Sequence, residues 1–401
     1  MRSYWDFYSA AKLLFGNGVM NRVGPELQKE TWTRPLIITD KNLVNAGIVD
    51  RIKTSIRNGA NNGVVFDESE AEPSLNVATK AHQVAQEYNP DVIIGLGGGS
   101  NMDLAKMTAL LHAHGGCPED YFGFDQVPGP VTPLICIPTT AGTGSEVSHA
   151  AVLTDTKSDL KVSTLSRHLR PALALVDPEL TLTCPAHVTA ESGMDALTHA
   201  IEAFTARHPS DLAASDDEDL PYPGKNPMAD AFAEKAIRLI GKHLERVIDY
   251  PDDIKAREGM ALAATSAGLA FSNGAVAIVH ALEYPMGVAL HCSHGQGNGL
   301  LLPYVMRFNL SARKETFAKI ANFLGCETNN LSVDQAANAA IEKVESIKKK
   351  AGIPGRIRNI GGNREQLASF ADKSIQINRL MDINPIQPSR EDLLSILESA
   401  Y

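Results

Sequence analysis

The first half of this chain alternates short apolar runs with helix-forming segments, and this alternation restricts the fold more than any other feature. The apolar runs cover residues 35–40, 63–66, 91–96, 132–137 and 172–177. Strands that are apolar at consecutive positions are buried on both faces, as in parallel sheets covered by helices. The periodic segment 74–87 is typical of such a covering helix. The sequence therefore predicts an α/β domain with a mainly parallel sheet.

The second half of the chain has a different pattern. From about Ala190 onward, helical periodicity dominates, over residues 191–206, 228–246, 254–269, 314–324, 333–351 and 390–398. We expect an all-α domain there, with the boundary between Pro178 and Pro185. A length of 401 residues suits two domains. The predicted domains are residues 1–184 and 185–401.

Composition and charge exclude several classes of protein. The formal net charge of −10 argues against a nucleic-acid-binding surface. The five cysteines are scattered with no C-x-x-C pair, which indicates a reducing compartment. We find no signal-peptide pattern and no uninterrupted apolar run of about 18 residues. We therefore predict a cytoplasmic protein that acts on a small molecule and has no membrane or nucleic-acid partner.

A glycine-rich segment follows the third apolar run. Gly95-Leu96-Gly97-Gly98-Gly99-Ser100 precedes a predicted helix over 101–113. Consecutive glycines let backbone N–H groups approach phosphate oxygens, and a helix N-terminus adds partial positive charge. The segment departs from G-x-G-x-x-G, because Ser100 stands where the last glycine belongs. A phosphate cradle and a plain strand–helix turn therefore both remain open.

A second loop, over residues 138–147, follows the fourth apolar run and is dense in hydroxyls and glycine. It suits a pyrophosphate or ribose, and a plain Ser/Thr/Gly loop is the alternative. Loops after neighbouring parallel strands converge at the carboxyl edge of the sheet, where such folds bind ligands. Asp40 ends the first run. Its carboxylate favours NAD over NADP because it would repel a 2′-phosphate, although a helix N-cap is equally common.

Four residues of the second half form a candidate metal site. Asp195 and His199 are four apart and would share one face of a helix. His280 lies in the apolar run 275–282, and His294 in the small-residue segment 293–297. One carboxylate and three imidazoles suit Fe(II) or Zn(II) better than Mg(II) or Ca(II). An exposed helix pair and hydrogen-bonded core histidines would explain the same residues.

These motifs, taken in order, resemble the iron-containing (group III) alcohol dehydrogenase family along nearly the whole chain. The matching segments are Gly97–Ser100 with Asp103 and Lys106, residues 138–146, residues 193–202, and His280 with His294. The resemblance implies a dinucleotide-binding Rossmann-like α/β domain and a helical domain, with the active site in the cleft between them. It also implies an enzyme that works as a homodimer.

The resemblance also implies roles for individual residues. Four would hold Fe(II), with Zn(II) as an alternative: Asp195, His199, His280 and His294. Others would bind NAD: Asp40, Gly97, Gly98, Gly99, Ser100, Thr139, Thr140, Thr143 and Lys161. The implied reaction is metal-assisted hydride transfer between a small primary alcohol, or its aldehyde, and NAD. No catalytic side chain beyond these is assigned.

Three departures from the family pattern concern the substrate and the surface. Tyr284 stands where the family often has a second histidine, four residues after the third metal ligand. Glu72-Pro73 replaces a frequent Asn-Pro, and the acidic stretch 209–226 is longer than the usual connection. The change at Tyr284 leaves the substrate unassigned.

Other functions on the same scaffold remain open. A hydroxyacid–oxoacid transhydrogenase shares the cofactor and metal residues, and other polyol or hydroxyacid dehydrogenases share the two-domain plan. A non-catalytic nucleotide-binding protein is a more remote alternative, for which missing metal ligands would be expected.

Overall fold

The computed structural model of the protein describes residues 4–56, 63–157, 160–212 and 219–401. The chain divides into two compact units, one of Tyr8–Cys184 and one of Met1–Phe7 with Pro185–Tyr401. Within the acidic stretch predicted as a surface loop, residues 213–218 lie outside the described part of the chain.

The N-terminal unit contains two sheets. Its strands in the described residues are β1 (Leu13–Phe15), β2 (Pro35–Ile38), β3 (Val64–Phe66), β4 (Val92–Gly97), β5 (Gly123–Phe124), β6 (Leu134–Pro138), β7 (Ala150–Asp155), β8 (Leu160–Leu165) and β9 (Leu173–Val176). Six strands form a parallel sheet in the order β1-β9-β6-β4-β2-β3. The predicted α/β class with a mainly parallel sheet is confirmed.

A smaller sheet of β5, β8 and β7 was not predicted. Its strands β7 and β8 pair antiparallel, from Ala150 opposite Leu165 to Asp155 opposite Leu160. Buried and partly buried residues alternate along β7, as expected of a strand with one covered face. Polar residues interrupt the apolar pattern of β8, and β7 ends in Thr154 and Asp155 after four apolar residues, so neither strand forms a long apolar run.

The helices of the N-terminal unit cover the two faces of the parallel sheet. They are α1 (Val23–Lys29), α2 (Lys41–Asn45), α3 (Ile48–Ile56), α4 (Leu75–Tyr88) and α5 (Gly99–His114). Successive residues of a strand point to opposite faces. Accordingly, Ile37 packs in the cluster with α1 and α3, and its neighbours Leu36 and Ile38 pack with α4 and α5. This two-sided burial explains the continuous apolar runs.

The second unit contains helices and no strand among its described residues. Its helices are α6 (Ala186–Thr205), α7 (Pro227–Asp249), α8 (Ile254–Asn273), α9 (Ile278–Leu290), α10 (His294–Asn309), α11 (Lys314–Phe323), α12 (Val333–Lys350), α13 (Gln366–Ser374), α14 (Asn378–Met381) and α15 (Arg390–Ala400). The predicted all-α character of this half is confirmed. Helices α9 and α10 were not predicted, since each contains a proline and several small residues.

Capping residues mark where several of these helices begin. Asn226 caps α7 and is followed by Pro227, while Asp253 caps α8. Ser332 and Ser389 form capping boxes at the starts of α12 and α15. These side chains accept hydrogen bonds from backbone N–H groups that have no partner within the helix, and so fix the helix starts.

The apolar helices of the second unit were compared with the length and hydropathy that a membrane-spanning helix needs. Among the described residues, no single helix is long and apolar enough to cross a bilayer. Only α8 and α9 meet the criteria of length and composition together, and their axes bend by 107° at the break between them.

A buried glutamate in α1 makes stability depend on pH. Burial by itself would raise the pKa of Glu26, but hydrogen bonds and charge from Lys12 and Lys29 lower it from 4.5 to about 2. Its carboxylate lies 2.5 Å from Lys12 Nζ and 2.9 Å from Lys29 Nζ. A carboxyl with a lowered folded-state pKa stabilises above pH 4.5, and this contribution is lost as the pH falls towards 2.

We therefore expect Glu26→Gln to lower the free energy of unfolding at pH 7 by on the order of 2 kcal/mol, allowing for the half-exposed lysines. At pH 4 the difference in the free energy of unfolding between variant and wild type should be smaller by about 1 kcal/mol. Urea denaturation at pH 7 and at pH 4 measures this difference. The exposed Glu30→Gln variant is the control and should show neither effect. An equal gap at pH 7 and pH 4 would contradict the prediction.

Candidate metal centre and nucleotide-binding loops

Helix α6 places Asp195 and His199 in the interior of the second unit. The two residues are 1% and 5% exposed, and α6 packs against α7, α8 and α10. Asp195 Oδ2 lies 3.9 Å from His199 Nδ1. The alternative of an exposed pair on a helix surface is therefore excluded, and the buried carboxylate requires compensating partners.

The fold brings the four predicted metal ligands together. One potential ligand atom from each of Asp195, His199, His280 and His294 lies within 4.8 Å of the others. The rings of His199 and His280 stack with centroids 4.8 Å apart, and His280 and His294 meet edge to face at 5.2 Å. Phe271 stacks on His199 at 4.4 Å and restricts that ring. Helices α6, α9 and α10 thus contribute to one cluster.

Glu202 orients His280 from a different helix. Its Oε2 lies 2.5 Å from His280 Nδ1, and its two oxygens accept hydrogen bonds from Ala277 N and Val279 N at 2.9 and 2.8 Å. The carboxylate on α6 therefore caps the N-terminus of α9, where negative charge is favourable. Because a carboxylate accepts, a neutral His280 carries its proton on Nδ1 and directs the Nε2 lone pair to the cluster.

Glu283 orients His294 in the same way. This residue of α9 is fully buried, and its Oε2 lies 2.5 Å from His294 Nδ1. His294 is the first residue of α10, directly after the capping residue Ser293. The Nε2 atom of a neutral His294 is then also free of a proton.

Asn298 joins α10 back to α6. Its Nδ2 donates to Asp195 Oδ1 at 2.8 Å and lies 3.2 and 3.1 Å from the Nε2 atoms of His280 and His294. The three helices are thereby linked in a cycle. A residue of α6 supports a ligand on α9, a residue of α9 supports a ligand on α10, and a residue of α10 supports a ligand on α6. We call these three partners, Glu202, Glu283 and Asn298, the supporting residues.

The cluster favours an ionised carboxylate. Burial alone would raise the pKa of Asp195, but the positive charge available on His199, His294 and His280, with the Asn298 hydrogen bond, brings it below its ordinary value. An ionised Asp195 beside imidazole Nε2 lone pairs is a donor set of one oxygen and three nitrogens. These donors fit a divalent transition metal such as iron or zinc.

The two predicted nucleotide loops meet where neighbouring strands β4 and β6 end. Gly97 pairs with Pro138 in register, and Thr139 N donates to Gly97 O at 3.0 Å. Gly97 has a φ of +141°, and a Cβ there would lie 2.1 Å from Asn101 Nδ2. A Cβ at Gly99 would lie 2.7 Å from Thr143 Cγ2. Gly97 thus leaves room for the Asn101 side chain, and Gly99 lets the two loops approach each other.

The start of α5 fits an anionic group. Its N-cap is Gly98, and no side chain in the described residues caps this end. The first N–H groups of a helix without such a cap are available to phosphate oxygens, and the helix dipole adds attraction. The phosphate-cradle interpretation thus agrees with the local geometry.

Asp40 lies beside this cradle and also caps a helix. Its Oδ1 accepts from Asn42 N and Leu43 N at the start of α2, at 2.8 and 3.2 Å. Its Oδ2 accepts from Asn101 Nδ2 at 2.7 Å. The N-cap alternative is therefore correct, and the same carboxylate is also fixed against the first turn of α5.

Lys161 is connected to the glycine-rich loop through Glu72. Its Nζ lies 2.9 Å from Glu72 Oε2, and Glu72 N donates to Ser100 Oγ at 3.3 Å. Glu72 has a φ of +57°, which is uncommon for a residue with a side chain and marks a constrained turn. Lys161 thus lies on β8 within reach of the predicted cofactor loop.

Two polar residues of α5, Lys106 and Asp103, attach the second loop to this helix. Lys106 Nζ donates to Ser145 Oγ, Ser148 Oγ and Ala150 O at 2.8, 3.0 and 2.7 Å. These acceptors match the three N–H bonds of an ammonium group. Asp103 accepts from Ser145 Oγ at 2.6 Å and from Val152 N at 3.0 Å. The pair therefore fixes the end of the second loop.

Comparison with known proteins decides the family. Residues 10–178 match the model for iron-containing alcohol dehydrogenases, and residues 218–401 match the model for the C-terminal part of that family. The chain belongs to the iron-containing alcohol dehydrogenase family. Members are oxidoreductases that act on CH–OH groups with NAD, and the chain is therefore an enzyme of this class.

Individual members of the family are similar to this chain over nearly the full length of both proteins. The chain is 34% identical over 395 residues to NAD-dependent methanol dehydrogenase of Bacillus methanolicus, covering 98% of this chain and 99% of the relative. It is 34% identical over 389 residues to 1,3-propanediol dehydrogenase of Citrobacter freundii, covering 96% of both. The solved alcohol dehydrogenase of Oenococcus oeni has a TM-score of 0.92 at 30% identity, covering 99% of this chain and 100% of that one.

Within the iron-containing alcohol dehydrogenase framework, Tyr284 lies beside the metal candidates. It is 6% exposed on α9, and its ring centroid is 6.1 Å from that of His294. The sequence pattern pointed to Tyr284 but not to the supporting residues. Helical spacing would have indicated them, since each lies three or four positions after a predicted ligand.

The supporting carboxylates generate a prediction about metal affinity. We expect Glu202→Gln and Glu283→Gln each to weaken binding of a divalent metal by about 10- to 100-fold, because the imidazoles lose the partner that fixes their proton. Competition with a chelator of known affinity measures this. Glu234→Gln, an exposed residue on α7, is the matched control and should bind as wild type does. Unchanged affinity in both buried variants would contradict the assignment.

Proposed function

We propose that this enzyme is an NAD-dependent alcohol dehydrogenase that uses a metal, preferably Fe(II), in the cluster of Asp195, His199, His280 and His294. The convergence of these four ligand atoms within 4.8 Å is the observation that carries the proposal. Zn(II) remains an alternative, because the same donors suit it. The predicted C-terminal domain, residues 185–401, is then the metal-binding domain.

The chain's own residues would hold the metal in a fixed set of donors. Glu202 and Glu283 keep the imidazole Nε2 atoms directed inward, and Phe271 restricts the ring of His199. When bound, such a metal supplies Lewis-acid polarisation of an alcohol or carbonyl oxygen. Asp195, His199 and His280 are at most 5% exposed, and these low-dielectric surroundings strengthen electrostatic interactions there.

We propose that residues 1–184 bind NAD. Gly97, Gly98, Gly99 and Ser100 would receive the pyrophosphate at the uncapped start of α5. Thr139, Thr140 and Thr143 would supply hydroxyls, Lys161 would lie near the nicotinamide ribose, and Asp40 would select NAD over NADP. The hydride chemistry belongs to the cofactor, and the protein supplies binding and alignment.

A small primary alcohol, or the corresponding aldehyde, is the proposed substrate. Two of the relatives are described as a methanol dehydrogenase and a 1,3-propanediol dehydrogenase, and methanol and 1,3-propanediol are both small primary alcohols. Tyr284 beside His294 would shape the adjacent space. No feature favours the transhydrogenase over this reaction.

The ligand assignment predicts joint loss of metal and activity. In Fe(II)-reconstituted protein, Asp195→Ala and His280→Ala should each lose bound metal and reduce kcat/KM by about 10³-fold or more. Metal analysis and NADH absorbance with a panel of primary alcohols measure both. Asp334→Ala, an exposed residue of α12, is the control. If metal content and turnover survive in both variants, the assignment is wrong.

Wild-type protein that retains reduced cofactor and releases no NADH would indicate a transhydrogenase.

The buried cluster under the loops predicts a selective effect on the cofactor. Lys106→Met should raise the KM for NAD by about tenfold, since the second loop loses three hydrogen bonds that hold it. Its affinity for the metal should stay unchanged. Lys80→Met, on the exposed face of α4, is the matched control. Steady-state kinetics with varied NAD measure the effect, and an unchanged KM for NAD would contradict it.

We also propose that the enzyme is a cytoplasmic homodimer. All five cysteines are free thiols, in agreement with a reducing compartment. Four large apolar side chains near the N-terminus, Tyr4, Trp5, Tyr8 and Leu13, are 37–42% exposed, which supports association with another chain.

A further inference from the structure

Asn298 faces the metal-ligand atoms themselves, whereas Glu202 and Glu283 bind the outer nitrogens of the imidazoles. It lies one turn after His294 on α10 and is 0% exposed. Its Nδ2 is 2.8 Å from Asp195 Oδ1 and within 3.2 Å of the Nε2 atoms of His280 and His294. A single amide nitrogen thus approaches three of the four residues.

The orientation of this amide follows from its surroundings. Asp195 Oδ1 is an acceptor at 2.8 Å, so the donor end of the amide faces it. On the other side, Asn298 Oδ1 is buried and has no hydrogen-bond partner among the described residues. A buried polar atom without a partner is costly, so the contacts of the donor end have to offset this cost.

The two oxygens of Asp195 have different surroundings. Oδ1 accepts the hydrogen bond from Asn298, whereas Oδ2 lies on the side of His199, 3.9 Å from its Nδ1. A carboxylate can bind a metal through one oxygen or through both. An oxygen that already accepts a hydrogen bond is less available as a second metal ligand. The hydrogen bond therefore distinguishes one oxygen of this ligand from the other.

We infer that Asn298 is a positioning residue that keeps Asp195 Oδ1 engaged and so restricts Asp195 to binding the metal through one oxygen. A metal held in this way would keep a coordination position open for an alcohol oxygen, which a second carboxylate oxygen would otherwise take. The inference rests on the proposed metal-dependent function. It concerns how many oxygen atoms Asp195 supplies to the metal, whereas the four ligand residues stay the same.

The test is Asn298→Leu, which has a similar volume and no donor, together with Asn298→Ala in case the larger side chain disturbs packing. Both proteins are loaded with Co(II), and X-ray absorption counts the nearest neighbours of the cobalt. We expect the metal to be retained, with one more oxygen neighbour than in wild type. The KM for the alcohol should rise, or kcat fall, by about tenfold, with the KM for NAD unchanged.

Asn309→Leu is the matched control, because Asn309 is also a buried asparagine of α10 but pairs with Asn384. It should lose stability and leave the cobalt neighbours unchanged. An Asn298 variant that binds cobalt with the wild-type number of neighbours would overturn the inference, as would complete loss of the metal from a folded variant. Failure of the wild-type protein to bind any metal would instead overturn the proposed function.

Discussion

The second unit depends on the contacts among three buried carboxyl side chains and three imidazoles, of which His199 and His280 are buried and His294 is partly exposed. Asp195, Glu202 and Glu283 are each less than 5% exposed. Isolated charges in such surroundings would be strongly destabilising. The cycle of hydrogen bonds from α6 to α9, from α9 to α10 and from α10 to α6 removes this penalty. No two of these helices can satisfy their polar groups without the third.

This cycle couples stability to chemistry. Glu202 both caps the N-terminus of α9 and orients His280, so a single carboxylate fixes a helix and a ligand. A side chain on a helix that is restrained by packing and hydrogen bonds keeps its position more precisely than a side chain on a loop. The donor set is therefore fixed by the fold before any metal binds.

The N-terminal unit uses a comparable arrangement for its loops. The parallel strands β4 and β6 end side by side, so the segments that follow them necessarily lie together. Lys106 and Asp103 then tie the second loop to α5, the helix that begins at the first loop. The loops consequently have a rigid base, although they carry glycine and hydroxyl residues that would otherwise leave them mobile.

The sequence by itself determined the fold class and the ligand types, because continuous apolar strands and the i, i+4 spacing of Asp195 and His199 depend only on local periodicity. It also indicated which loops would meet, since parallel strands share a carboxyl edge. Only the tertiary structure decided the pairing of the supporting residues. Spacing along a helix would pair Glu202 with His199, whereas the tertiary fold brings Glu202 on α6 to His280 on α9. Contacts between helices depend on how their faces pack, and that information is not local in sequence.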